Sequence, residues 1–261
     1  MESIQPSGVT SSPTVHLFSD RETLSRWTAR TLREYIHRKP DLLLAAPTGS
    51  TPTRAYELLA QYALAEPEGF SKLRLLKIDE WGGLAMDDPA TCETYLQQHL
   101  VSPLGISPER YIAWNSRPAD PLEECQRIAG LLRKHGPIDL CMLGVGANGH
   151  LAFNEPADTL QAGPHVAKLT EESMNHPMLK ATSARPAYGL TIGMLDILNS
   201  REILLLVSGA HKAAQLKRLM EPVVSPQFPA SLLHVHPNVS VAADRDAARL
   251  LNLDDSPLEL P

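Results

Sequence analysis

Strand-like and helix-like segments alternate along this 261-residue chain. That alternation predicts an α/β fold with a mainly parallel central sheet. Two further observations support the class. The runs at 42–46 and 203–207 are continuously apolar, as strands covered on both faces are. Polar loops at 47–52, 79–84 and 144–156 each follow a predicted strand, where open α/β sheets carry their ligand sites.

The first strand is expected at 14–18. Ser19-Asp20-Arg21-Glu22 reads as a capping box that opens an amphipathic helix running toward His37. The strand at 42–46 leads through Pro47-Thr48-Gly49-Ser50-Thr51-Pro52 into a helix over 53–65. A strand at 73–78 ends at Asp79-Glu80-Trp81-Gly82-Gly83. A helix over 92–100 follows, then a short strand at 111–114. The next helix carries Cys125, Ile128 and Leu132 on one face, and the strand after it, 138–143, runs into a loop from Gly144 to Pro156. Later strands are expected at 165–169, 189–192, 202–207 and 239–243, with a helix over 211–220. Neither an internal repeat nor a shift in composition marks a second domain. Residues 14–250 therefore read as one domain, between a Ser/Pro/Thr-rich disordered arm at 1–13 and an acidic, Pro-containing frayed tail at 251–261.

Composition excludes several functions. Lys and Arg number 24 against 30 Asp and Glu, a net charge of -6, whereas a nucleic-acid binder needs excess cations. Aromatic residues are 5% of the chain, too few for a base-stacking platform. The apolar runs are too short to span a bilayer, so no membrane partner is expected. The first residues show no basic, then apolar, leader pattern. Cys92, Cys125 and Cys141 are odd in number and far apart, and read as free buried thiols in a reducing, cytoplasmic setting.

The three loops hold the candidate chemistry. Thr48-Gly49-Ser50-Thr51 stands between a strand and a helix, where hydroxyls and backbone N–H groups suit a single phosphate; simple helix capping is the alternative. Without a Walker lysine, a nucleoside triphosphate is not implied. Gly144-x-Gly146-x-x-Gly149 matches the dinucleotide fingerprint, but Asn154 and Pro156 interrupt the helix that the fingerprint requires. His150, with Asn148 and Glu155 nearby, has the makings of a tuned acid or base, or is a surface loop histidine. Asp79 and Glu80 are a candidate base in a cleft beside Trp81, or solvated acids at a strand end. His234 and His236 fall on one face of a predicted strand at a spacing that suits a metal, but no third ligand follows, so a structural role is preferred and no metal is expected.

In order, these segments resemble the glucosamine-6-phosphate deaminase/isomerase family. The matching pieces are 47–52, Ile78-Asp79-Glu80-Trp81, 144–150, Phe153-Asn154-Glu155-Pro156, Gly189-Leu190-Thr191-Ile192-Gly193 and Gly209-Ala210-His211-Lys212. The resemblance implies a modified Rossmann-like sandwich and a hexosamine 6-phosphate substrate. It implies no redox cofactor. By similarity Thr48, Gly49, Ser50, Thr51 and Lys212 hold the phosphate. Asp79 moves the proton between C2 and C1, and His150 assists ring opening, oriented by Glu155. Two positions depart from the glucosamine pattern. Asn148 replaces an Asp, and Leu179 stands where the family has a phosphate-binding arginine, with Lys180 beside it as a substitute cation. Asn148 and the stretch His176-Pro177-Met178-Leu179-Lys180 resemble the galactosamine-6-phosphate branch. A 6-phosphogluconolactonase and a non-catalytic sugar-phosphate sensor are the competing readings. The oligomeric state stays open, a homo-oligomer included.

Overall fold

Seven parallel strands form the centre of the computed structural model, which describes residues 13–251. The expected arm and tail therefore lie, but for one residue each, outside the described residues. The strands are β1 (Thr14–Phe18), β2 (Leu43–Ala46), β3 (Arg74–Lys77), β4 (Asp79–Gly82), β5 (Tyr111–Ile112), β6 (Leu140–Gly144), β7 (His165–Ala167), β8 (Tyr188–Thr191), β9 (Glu202–Val207) and β10 (Val239–Asp244). The large sheet runs β1-β10-β9-β6-β2-β3-β5, with every pairing parallel.

The period of two along each strand sorts its side chains between two cores. Leu43, Ala45, Cys141, Leu143, Ile203 and Leu205 face one layer. Leu44, Ala46, Leu140, Met142, Leu204 and Leu206 face the other. Helices Arg21–Arg38 and Ser50–Ala65 close the second layer with Leu24, Leu32, Ile36, Tyr56 and Leu59. Cys125 and Ile128 of helix Pro121–His135 close the first, as expected for that apolar face. Both faces are covered, which is why the central strands read as unbroken apolar runs.

From β2 the chain moves outward to β3 and β5; from β6 it moves the other way, to β9 and β10. The gap between β2 and β6 is thus the topological switch point, where such sheets bind ligands. The loops at 47–49 and 145–150 leave these two strands there.

The structure departs from the sequence reading in four places. Asp20, not Ser19, caps the first helix: it is extended and accepts the Thr23 N–H at 2.8 Å, while Glu22 pairs with Arg54 instead of reaching back. The second helix begins at Ser50, three residues before the expected 53. The segment from 79, expected as a polar loop, forms strand β4, and with the strands near 165 and 189 it makes an antiparallel sheet of its own, in the order β4-β8-β7. Its Gly82 lies so close to the Tyr188 ring that a side chain there would collide with it. His234 and His236 lie at a 3-10 turn (Pro229–Val235) and just after it, not on a strand. Their Nε2 atoms bond the Leu219 and Ser200 carbonyls at 2.6 and 2.8 Å, so both rings serve the core.

Among the described residues no helix is long and apolar enough to cross a membrane.

Candidate active site

A cavity of about 320 Å³ opens over the switch point and the carboxyl ends of β2, β3, β6 and β9. It gathers Thr48, Gly49, Ser50, Thr51, Asp79, His150 and Lys212 on one lining.

The first wall is the turn into helix Ser50–Ala65. Gly49 holds φ at 101°, the left-handed region that favours glycine, and its carbonyl accepts the Thr53 and Tyr95 hydroxyls. No side chain caps this helix. The open N–H groups of its first turn suit an anion, which sets aside the capping alternative for Thr48 and Ser50. Lys212 lies beyond the turn after β9. Asp244 organises that turn by accepting from the Ser208 hydroxyl and the Gly209 N–H. Burial lowers the Lys212 pKa from the ordinary lysine value. Lys180, in contrast, is exposed on a 3-10 turn (Pro177–Ala181) and lines a separate depression with Thr182 and Arg185. Lys180 does not line the cavity with Lys212; Asn175 and His176 line both hollows, and Lys180 lies on the outer one.

Asp79 opens β4 and is 9% exposed. Burial, reinforced by the charge of Glu80, raises its pKa to about 7, against a weaker opposing hydrogen bond from Cys92 Sγ at 3.6 Å. Cys92 also touches Thr48 Oγ1 at 3.6 Å, so the thiol bridges the turn into helix Ser50–Ala65 and the carboxylate. Cys92, Cys125 and Cys141 are all free and buried, as expected.

His150 Nδ1 lies 3.2 Å from Glu155 Oε2. Asn148 clasps both ends of this pair: its Nδ2 donates to Glu155 at 2.7 Å and its Oδ1 accepts the His150 backbone N–H at 3.1 Å. Ser173 and Thr170 donate to the other Glu155 oxygen. Burial opposes the Glu155 charge, but the bonds from His150, Ser173 and Asn148 prevail and hold its pKa at about 2. An ionised Glu155 accepts the Nδ1 proton and leaves Nε2 as the lone-pair nitrogen. The glycine pattern has a local cause. The imidazole occupies the space that a Gly146 side chain would fill, and the Phe228 ring fills that of Gly149. Asn154 pins the loop through the Leu151 and Ile192 carbonyls, both at 2.9 Å.

Glu80 is not a second cavity carboxylate. It is fully buried, accepts the backbone N–H groups of Trp81, Cys92 and Glu93, and pairs with the equally buried Lys77 at 2.6 Å. Sequence reasoning missed Lys77, Thr170, Ser173 and Asp244, took Cys92 only as a buried thiol, and named His176 only as part of the 176–180 stretch. Of these only Thr170 carried a signal, as a capping residue before helix Glu171–Met174, where its Oγ1 accepts the Ser173 N–H. Among the described residues no group of three or more His, Cys, Asp or Glu side chains is arranged to hold a metal ion.

Residues 21–241 match the family model described as glucosamine-6-phosphate isomerases/6-phosphogluconolactonase. The chain is 39% identical over 215 residues to the "Putative deaminase AgaI" of Escherichia coli (strain K12), covering 82% of this chain and 85% of that protein. It is 36% identical over 231 residues to glucosamine-6-phosphate deaminase 1 of Bacillus subtilis (strain 168), covering 88% and 96%. A solved structure described as a monomeric glucosamine-6-phosphate deaminase superposes with a TM-score of 0.85 at 35% identity, over 91% of this chain and 99% of that one. A 6-phosphogluconolactonase from Trypanosoma brucei shares the fold, with a TM-score of 0.70 at 19% identity over 92% and 98%.

Proposed function

The chain belongs to the family of glucosamine-6-phosphate isomerases and 6-phosphogluconolactonases, and on that premise we propose that it deaminates a hexosamine 6-phosphate, releasing the ketose 6-phosphate and ammonia. One observation carries the reading: a buried carboxylate poised near neutrality, Asp79, shares a cavity with a histidine locked to an ionised glutamate.

Each group has a task. The phosphate seats on the first turn of helix Ser50–Ala65 and on Lys212, and its binding energy positions the far end of the sugar. His150 Nε2 accepts the proton of the anomeric hydroxyl and returns one to the ring oxygen, opening the ring. Glu155 stabilises the transient imidazolium. Asp79 takes the C2 proton of the open chain and delivers it to C1 through an enolamine, leaving a C2 imine. Water adds to the imine and ammonia leaves. A proton that shuttles between neighbouring carbons needs a carrier comfortable both with and without it, which a pKa near 7 provides. A lactonase needs no such shuttle, and this favours the deaminase over the hydrolytic reading. A sensor would need no poised base either.

Asn148 and the stretch from His176 to Lys180 favour galactosamine 6-phosphate, the C4 epimer. The three free thiols fit a reducing compartment, so the proposal includes a cytoplasmic location. Parallel ammonia-release assays on galactosamine 6-phosphate and glucosamine 6-phosphate test the reading. Release from the first at the higher kcat/KM is expected. Release from neither, with hydrolysis of 6-phosphogluconolactone, would replace it.

A further inference from the structure

The turn that carries Thr48, Gly49 and Ser50 along the cavity is pinned from behind. Tyr56, in helix Ser50–Ala65, is 0% exposed and donates its hydroxyl to the Pro47 carbonyl at 2.8 Å. Tyr95, in the short helix Cys92–Leu96, donates to the Gly49 carbonyl at 2.8 Å. The Thr53 hydroxyl reaches the same carbonyl at 2.9 Å and the Tyr95 oxygen at 2.8 Å. Neither tyrosine lines the cavity. Their rings are seated independently of the hydroxyls: the two meet edge to face with centroids 6.4 Å apart, and Tyr95 packs on His99 at 4.5 Å.

A trans peptide unit is planar and points its C=O and N–H to opposite sides. Fixing the Pro47 and Gly49 carbonyls therefore also fixes the Thr48 and Ser50 N–H groups, which face away from the tyrosines. Neither N–H has a hydrogen-bond partner among the described residues, and both residues line the cavity. The turn needs such pins. Gly49 holds φ at 101°, and no atom lies within 4 Å of the place its Cβ would take, so packing does not hold this backbone. The helix ladder begins only at the Gly49 carbonyl and has no grip on that of Pro47. We propose that Tyr56 and Tyr95 are positioning residues of the phosphate seat, their hydroxyls holding the turn so that the Thr48 and Ser50 N–H groups meet the phosphate already aligned. The inference rests on the deaminase reading for placing a phosphate on this turn. An aligned seat binds more tightly because its groups are ordered before the ligand arrives.

Tyr56→Phe and Tyr95→Phe keep the rings and remove only the hydroxyls. Tyr35→Phe is the control: it loses a hydroxyl bond to Glu202, at the amino end of β9 and so at the far end of the sheet from the cavity. Inorganic phosphate is titrated into wild type and the three variants and followed by amide NMR, which needs no turnover. Each seat variant is expected to bind phosphate about three- to tenfold more weakly, the range for one hydrogen bond. KM for galactosamine 6-phosphate should rise by the same factor with kcat less affected and the limb near pH 7 that Asp79 sets left in place. Tyr35→Phe should bind phosphate as wild type does. Thermal melts show that each variant is folded; if Tyr56→Phe is not, Tyr95→Phe, at the less buried ring, decides alone. Unchanged phosphate affinity in a folded seat variant, an equal loss in Tyr35→Phe, a displaced pH limb, or no phosphate binding by wild type would overturn the proposal. Ammonia release by wild type is scored separately. If it fails while the seat variants still lose phosphate affinity, the deaminase reading falls and the role of the two tyrosines stands.

Discussion

Asp79 and Glu80 are neighbours on β4, both buried and both acidic, yet their surroundings are opposites. Glu80 faces Lys77 and three backbone N–H groups, and its charge is neutralised on every side. Burial works against the Lys77 charge as well, but Glu80 and Glu93 outweigh it and raise the lysine pKa above its ordinary value. Among the described residues Asp79 has one weak thiol contact and no cation in hydrogen-bond range. The pair shows how one short strand divides its labour. One carboxylate is spent on holding Cys92 and Glu93 in place. The other is left under-compensated, and that shortfall is what keeps its proton exchangeable at neutral pH.

The largest effect should come from removing the under-compensated member. Asp79→Asn is expected to lower turnover by a factor of about 10² to 10⁴ while inorganic phosphate still binds. The same variant should be the more stable protein at pH 8. The Asp79 pKa rises from 3.8 unfolded to about 7 folded, so ionisation penalises folding increasingly from about pH 4 to pH 7 and fully above it. Thermal melts should show a gain for Asp79→Asn at pH 8 that fades as the pH falls toward 4. In wild type, kcat/KM should climb with pH through about 7, as Asp79 loses its proton in the free enzyme. A flat profile there would break the contrast.

Glu80→Gln attacks the compensated side. It leaves the 0% exposed Lys77 with Glu93 as its remaining carboxylate, at 2.6 Å, and urea unfolding should report a loss of roughly 2 kcal/mol. Equal stability in the two proteins would mean that Glu80 is as uncompensated as Asp79. Lys212→Ala tests the phosphate end: KM and competition by inorganic phosphate should weaken about tenfold, with kcat less affected. The smallest effect is expected for Ser173→Ala, which removes one donor from Glu155. A fall in kcat of roughly threefold, with the limb near pH 7 that Asp79 sets left in place, would fit a loosened His150–Glu155 pair.

The parallel sheet was legible because burial on both faces leaves an unambiguous mark, as at β2 and β9. The antiparallel sheet was not, since nothing in the residues around 79, 165 or 189 says which strand each will pair with. The glycine loops and their histidine were legible as a constellation. The division between Asp79 and Glu80 was not. It depends on Lys77 and on the backbone at 92–93, contacts that only the folded chain makes. Lys180 read as a substitute for the missing arginine alongside Lys212, and only the folded chain shows it exposed on the 177–181 turn.

The seat beneath His150 has an evolutionary consequence. Because the imidazole lies where a side chain on Gly146 would be, the two positions form a joint constraint. A lineage that replaces Gly146 first loses the histidine's resting place before any benefit accrues. One that replaces His150 first frees the glycine from its steric duty. Departure from this chemistry therefore has a preferred order of steps. A descendant with an intact glycine and no histidine would be the expected half-way relic.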